Sequence, residues 1–451
     1  MKNIGKLSQP EIAFHDFHNL CIIRLSLSSY PAGFSSLDIS YHDVMMKEKI
    51  EGSDVMRYSA GMLDLLEALT LPEQPVLFLK LTIQPHICME RLKDAVSQCI
   101  ALLPELALRY DKKHNCWRTQ KNDAFSIVQE VNEFDFSGWD IEQNAQLCIQ
   151  IIHKEQQDLL CIGFSHILCD GDGATQILRL LCTCYRKEAV SFQNCRTPES
   201  LPVIKQKKTK ARRRKSIPVT LPSTPHPLHT CELEESIPLE LLKRISTPSY
   251  TVNDVLLCAY AQTLHRITAA NAMTIPCPVN LRSFLQIKPA WTIANFVGDF
   301  QVTLYGLDHR DWRELLADIH QQMQEERTRC LDLHTIRLLQ PVMKHLPLAV
   351  TKAVAKAGFH SPETSYTNLG KIDAASIYFD DCTITQLYLL GRPRVYPSFQ
   401  ISASTWKDTC TLACHVTGDT LQLAHAQQIL TTMCTQLHAY AGQPLSESKT
   451  E

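Results

Sequence analysis

A short apolar run, Leu159 to Phe164, gives way abruptly to a stripe formed by Ala174, Ile177, Leu178, Leu181 and Tyr185. The first spacing fits a buried strand and the second a helix, so a sharp turn must join them. The joining residues are Ser165-His166-Ile167-Leu168-Cys169-Asp170-Gly171-Asp172-Gly173. Gly171 and Gly173 suit a backbone that turns tightly or passes close to another group. Just upstream, Leu147 to His153 and Leu159 to His166 read as the two arms of a β-hairpin. His166 is therefore carried on the rim of a rigid scaffold, where loop residues often do chemistry.

Histidine titrates near neutrality and can take a proton from a hydroxyl or an amine. Asp170, four residues on, could orient the ring or hold the turn. Alone, the pattern His-x-x-x-Asp-Gly is equally a strand-end histidine followed by a turn. Three further segments favour chemistry: Pro278-Val279-Asn280-Leu281-Arg282, Asn295-Phe296-Val297-Gly298 and Thr367-Asn368-Leu369-Gly370.

With these segments in that order, the chain from about Arg57 to Ala441 resembles the CoA-dependent acyltransferase superfamily. That superfamily includes chloramphenicol acetyltransferase, BAHD acyltransferases, condensation domains of peptide synthetases and bacterial alcohol acyltransferases. His166, Asp170 and Gly171 match its HxxxDG motif. Ser165 stands where condensation domains usually carry a second histidine, which argues against peptide-bond synthesis. No Asp-Phe-Gly-Trp-Gly occurs near the C-terminus, which argues against a plant-type BAHD enzyme. The Pro-x-Asn-Leu-Arg and Asn-Leu-Gly segments look most like the free-standing alcohol acyltransferase branch.

The resemblance implies an α/β fold of two chloramphenicol-acetyltransferase-like sandwich lobes with a tunnel between them. His166 would be the general base and Asp170 the second catalytic-motif residue. Asp170 would bond an arginine rather than substrate, with Arg282 as the partner and Gly171 as motif support. Asn295, Thr367 and Asn368 could contact substrate or oxyanion, although Asn368-Leu369-Gly370 also reads as a turn. The scheme needs no metal and no permanently bound cofactor, with acyl-CoA as co-substrate. Its partners are an acyl thioester, from CoA or an acyl-carrier protein, and a small alcohol or amine. Gly-x-Ser-x-Gly is missing, so Ser165 is not a nucleophile elbow. The alternatives are a non-catalytic condensation-like binding protein and a condensation-type domain acting with a carrier protein.

The length of 451 residues fits two domains rather than one core. A formal net charge of −2 suggests no nucleic-acid partner. The 18 cysteines sit within apolar runs and include no Cys-x-x-Cys. They read as small hydrophobes, Cys410 and Cys414 beside His415 among them, rather than a zinc site. So many thiols suit a reducing cytoplasm. No apolar run approaches the ~20 residues of a membrane span. A monomer is expected by analogy with two-lobed relatives.

Residues 1–55 show no clear period and are expected to be a poorly ordered extension. The first lobe is assigned to residues 56–190. A basic, proline-containing linker follows at 191–226, with eight Lys or Arg among the eleven residues Lys205 to Lys215. Such a run repels itself and is usually solvated. The second lobe is assigned to 227–442 and a tail to 443–451. Helices are expected over Arg57–Leu69 (capped by Ser59), Leu92–Leu103, Trp312–Arg329, Leu338–Ala357 and Leu421–Tyr440. Thr251 and Asp254 form a predicted capping box for a helix buried on all sides through Leu264. Strands are expected over Val76–Ile83, Thr274–Val279, Ile377–Phe379, Ile384–Leu390, Phe399–Ser404 and Leu412–Val416.

Overall fold

The computed structural model describes residues 47–49, 56–59, 62–70, 75–119, 126–196, 217, 219, 221, 229–285, 288–329, 347–358 and 364–442. The chain begins with strands β1 (Lys47–Lys49) and β2 (Met56–Ser59) and helix α1 (Met62–Thr70). Next come β3 (Val76–Gln84), α2 (Met89–Leu102), β4 (Arg109–Asp111), β5 (Cys116–Arg118), β6 (Val128–Glu130), β7 (Leu147–His153), β8 (Asp158–Ser165) and α3 (Gly171–Tyr185). The second half holds β9 (His229–Pro238), α4 (Leu239–Ile245), α5 (Val252–Thr268), β10 (Ala272–Asn280), β11 (Val297–Tyr305) and α6 (Trp312–Arg329). It ends with α7 (Leu348–Gly358), β12 (Thr364–Ile372), β13 (Thr383–Leu390), β14 (Arg394–Val395), β15 (Phe399–Trp406), β16 (Thr409–Gly418) and α8 (Thr420–Ala441).

Two α/β lobes result, each with its own hydrophobic core. The first is built on a sheet in the order β13-β3-β8-β7-β6. Its central strands are apolar almost throughout, as expected when helices or loops cover both faces. The expected hairpin is present: β7 and β8 pair antiparallel from Leu147↔Phe164 to His153↔Asp158. The second lobe has β12-β15-β16-β14, with β9 joined to β16, and the separate antiparallel pair β10-β11. A small separate sheet, β1-β2-β5-β4, packs Tyr110 and Trp117 into the first core.

Helix α5 begins as the sequence indicates. Thr251 Oγ1 accepts from Asp254 N at 3.2 Å, and Asp254 Oδ2 accepts from Thr251 N at 2.9 Å. Its residues Val255 to Ala261 are all buried, which satisfies a helix apolar on every side. Asp419 and Gln422 form a second capping box at the start of α8.

Several expectations are corrected. Arg57 to Ser59 are not helical: their backbone pairs with Cys116–Arg118, and α1 starts at Met62. Ile377 and Phe379 are buried, but in a loop that turns back on the Asp373 carbonyl rather than in a strand. Thr367-Asn368-Leu369-Gly370 is not a turn but the middle of β12, interrupted by a bulge against β15 between Asn368 and Gly370. Gly370 takes a φ of +75°, which a bulged strand asks of glycine. Helix α7 covers only the end of the expected Leu338–Ala357 helix; residues 338–346 lie outside the described residues, as do most of 1–55 and Lys205 to Lys215. Strand β13 belongs by sequence to the second half, yet it pairs with β3 from Leu390↔Phe78 to Thr383↔Gln84. The first lobe's sheet is therefore completed by a segment from beyond residue 227.

Candidate active site

His166 sits one residue past the end of β8. Its backbone N–H donates to Pro75 O at 2.6 Å, which fixes the turn against the start of β3. The side chain is 26% exposed, so the ring is held but not sealed. Ser165 is fully buried, which keeps its hydroxyl away from any solvent-borne substrate.

Asp170 is the N-cap of α3. Its Oδ1 accepts from Gly173 N at 2.8 Å, as a capping aspartate does. Its Oδ2 accepts from Phe296 N at 2.7 Å and from Arg282 Nη1 at 2.8 Å. Arg282 thus reaches Asp170. Burial pulls the guanidinium down, but the adjacent Asp170 carboxylate outweighs it and raises its pKa. Arg282 also donates to backbone: Nε and Nη2 to Thr292 O at 3.1 and 2.7 Å, and Nη2 to Ala294 O at 2.8 Å. One arginine therefore stitches the 292–296 segment onto the turn of the motif. Gly173 is required there, because an added Cβ would stand 2.7 Å from Cys169 Cβ.

Asn295 lies in the stitched segment. Its Nδ2 donates to the carbonyls of His166 and Ile167 at 2.6 and 3.0 Å. Two carbonyl acceptors fix which end of the amide is nitrogen. Its Oδ1 must then face His166 Nδ1, at 3.2 Å. An amide oxygen can only accept, so Nδ1 carries the proton and Nε2 keeps its lone pair. Among the described residues Nε2 has no hydrogen-bond partner. Both amide hydrogens of Asn295, a candidate substrate or oxyanion contact, are thus directed at carbonyls of the motif turn.

Glu67, on α1, was not anticipated. Its Oε1 lies 3.0 Å from His166 Nδ1. Burial pushes this carboxyl above its ordinary range, and His166 beside it works in the opposite direction. One turn earlier, Asp64 pairs with Arg196, whose Nη2 and Nη1 donate to Leu168 O and Ile293 O, both at 3.1 Å. This pairing ties α1 to the motif turn. The usable signal was two acids, Asp64 and Glu67, spaced one turn apart on a helix that is otherwise apolar.

The bulge of β12 lies against the same turn, since Leu369 Cδ1 would meet a Cβ on Gly171 at 3.3 Å. Asn368 Nδ2 donates to Asn253 Oδ1 at 2.9 Å, and its Oδ1 accepts from Gly370 N at 2.8 Å. Asn368 thus holds the bulge. Thr367 is half-buried, and its hydroxyl has no hydrogen-bond partner among the described residues. The described cysteines are free thiols. Cys410, Cys414 and His415 do not form a metal-ligating group, and Cys410 and Cys414 are buried as packing residues.

The two α/β lobes, with β13 completing the sheet of the first, have the fold of solved condensation domains and of an acetyltransferase. No family profile matches the sequence, and no curated protein matches it. Solved structures do. The trichothecene 15-O-acetyltransferase TRI3 of Fusarium sporotrichioides aligns with a TM-score of 0.61 at 12% identity, covering 88% of this chain and 98% of that one. Polyketide synthase associated protein 5 of Mycobacterium tuberculosis gives 0.55 at 14%, covering 84% and 99%. The starter condensation domain of rhizomide synthetase, in complex with C8-CoA, gives 0.56 at 14%, covering 86% and 95%.

Proposed function

We propose that the protein transfers an acyl group from a CoA thioester to an alcohol or amine, with His166 as general base. The observation that carries this reading is the orientation of Asn295, which assigns the proton to Nδ1 and the lone pair to Nε2. Nε2 takes the proton of the acceptor as its oxygen or nitrogen attacks the thioester carbonyl. The tetrahedral intermediate collapses, the carbon–sulfur bond breaks, and the imidazolium returns its proton to the departing thiolate. While the ring is charged, Asn295 Oδ1 and Glu67 face its Nδ1–H and favour that form.

Asp170 and Arg282 act at one remove: they hold the turn and the segment bearing Asn295 in register. Of the three residues considered for the oxyanion, Thr367 has the uncommitted donor. A tunnel between the lobes, admitting thioester and acceptor from opposite mouths, would keep competing water out. An acyl-carrier protein is the alternative donor. The C8-CoA bound by the rhizomide synthetase domain supports CoA as a donor on this fold.

The test is release of free thiol from acyl-CoAs of graded length, across a panel of alcohols and amines. His166→Ala should lower the rate by about 10²–10⁴-fold with the fold retained. Equal rates in the two proteins would refute the assignment. Ligand binding without turnover, indifferent to His166→Ala, would replace it with the binding-protein reading.

A further inference from the structure

The opposite end of the first-lobe sheet carries a second cluster of ionisable side chains. His86 follows the end of β3, His153 is the last residue of β7, and Asp158 is the first of β8. The three strands are neighbours, with Asp158 opposite both His153 and Ile83. A tight turn, closed by Lys154 N to Gln157 O at 2.9 Å, joins β7 to β8. Strand β8 separates this cluster from His166 by about 25 Å, at roughly 3.3 Å per residue.

His86 Nδ1 and His153 Nδ1 each lie 2.7 Å from the same atom, Asp158 Oδ1. Asp158 Oδ2 is engaged by Ile87 N at 2.8 Å, which leaves Oδ1 as the atom presented to the rings. The Asp158 side chain is fully buried, whereas the His86 and His153 rings are 47% and 40% exposed. Burial pushes Asp158 up, but the hydrogen bonds from His86, Ile87 N and His153 outweigh it and keep the carboxylate charged. A buried carboxylate oxygen therefore lies beneath two half-exposed imidazoles.

One outer nitrogen is also provided for: His153 Nε2 faces Glu130 Oε2 at 3.5 Å. Histidines that bind metal usually give their second ring N–H to a carboxylate or a carbonyl, which fixes the tautomer. From this arrangement we infer that His86 Nδ1, His153 Nδ1 and Asp158 Oδ1 form a site for a divalent cation of the zinc class.

Two imidazole nitrogens and one carboxylate oxygen suit zinc better than magnesium or calcium, which prefer oxygen ligands. Tetrahedral bonds of about 2.0–2.2 Å separate neighbouring ligand atoms by about 3.4 Å. The two nitrogen–oxygen separations of 2.7 Å must open by about 0.7 Å, which the half-exposed rings can supply by rotating. The fourth position would fall to water. Binding displaces the two Nδ1 protons and each ring keeps a proton on Nε2, which in His153 faces Glu130. The consequence is a clip that ties the β7-β8 turn to the end of β3, independent of acyl transfer.

Calorimetry on the full chain, stripped with chelator and titrated with ZnCl2, MgCl2 or CaCl2, tests the site. One zinc per chain is expected, with magnesium and calcium at least ten-fold weaker. His86→Ala and His153→Ala should each weaken zinc at least ten-fold; each also removes one hydrogen bond from the buried Asp158, so the effect of zinc on melting is read against each variant's own metal-free form. Saturating zinc should raise the melting temperature of wild type and not of either variant. Absence of binding, equal binding by both variants, or a preference for magnesium or calcium would overturn the inference.

Discussion

Replacing Asp170 by Asn separates the two tasks of this carboxylate. Asn is as good an N-cap as Asp, so Oδ1 can still accept from Gly173 N. The other oxygen becomes an NH2 group that faces two donors, Arg282 Nη1 and Phe296 N. Arg282 is 8% exposed and would keep its positive charge with only Asp172 Oδ2, 3.3 Å from Nε, to balance it. Breaking a buried pair from one side costs about 3–5 kcal/mol. The residual Asp172 contact places the expected loss near the lower end, about 3 kcal/mol. That is a large fraction of an ordinary domain's stability, about 5–15 kcal/mol. Urea unfolding of wild type, Asp170→Asn, Arg282→Met and the double variant forms a cycle that isolates the pair. The double variant should recover part of the loss, because the uncompensated charge is gone. If Asp170→Asn stays within about 0.5 kcal/mol of wild type, as unremarkable surface changes do, the pair does not hold the turn.

Other outcomes follow from the same geometry. Asn295→Ala should lower kcat by at least ten-fold with KM for the thioester little changed, because it releases the His166 and Ile167 carbonyls and leaves Glu67 alone at Nδ1 without removing the ring; steady-state kinetics read both parameters. Gly173→Ala should destabilise the protein by about 1–3 kcal/mol, the usual cost of overpacking, since Cys169 Cβ has no flexible end to yield; a thermal melt measures it. Glu67 has a folded-state pKa raised by burial, so its contribution to stability is complete below the ordinary carboxylate range and is lost as pH rises through the raised value. Glu67→Gln lacks that loss. Its stability relative to wild type should increase from pH 4.5 upward, and a constant difference across that range would refute the burial account.

Local signals in the sequence were read correctly where neighbours along the chain decide the outcome. The β7-β8 hairpin, the α3 stripe and the Thr251 capping box each depend on residues a few positions apart. Arg282 was found only through the resemblance, since nothing local says that an arginine after β10 will meet an aspartate 112 positions earlier. Asn368-Leu369-Gly370 looked like a turn because Asn and Gly are turn residues, yet parallel pairing with β15 holds it in a bulged strand. Strand β9 was missed because most of its side chains are polar and exposed, and Glu235 interrupts the alternation of Cys231, Leu233 and Ile237; it is held by backbone bonds to β16. Glu67 and the role of Asn295 depend on tertiary placement against His166 and left only the faint trace of acids within an apolar helix.

The exchange of β13 has a bearing on how the chain comes off the ribosome. Until residues 383–390 emerge, the first-lobe sheet ends at β3, an apolar strand with no proline in Val76–Gln84. An open edge of that kind invites pairing with other chains. The amino-terminal half therefore leaves the exit channel with an unfinished border and must wait for most of the carboxyl-terminal half to close it. A truncation after α3 should accordingly be prone to aggregate, although it contains the entire His166–Asp170 turn.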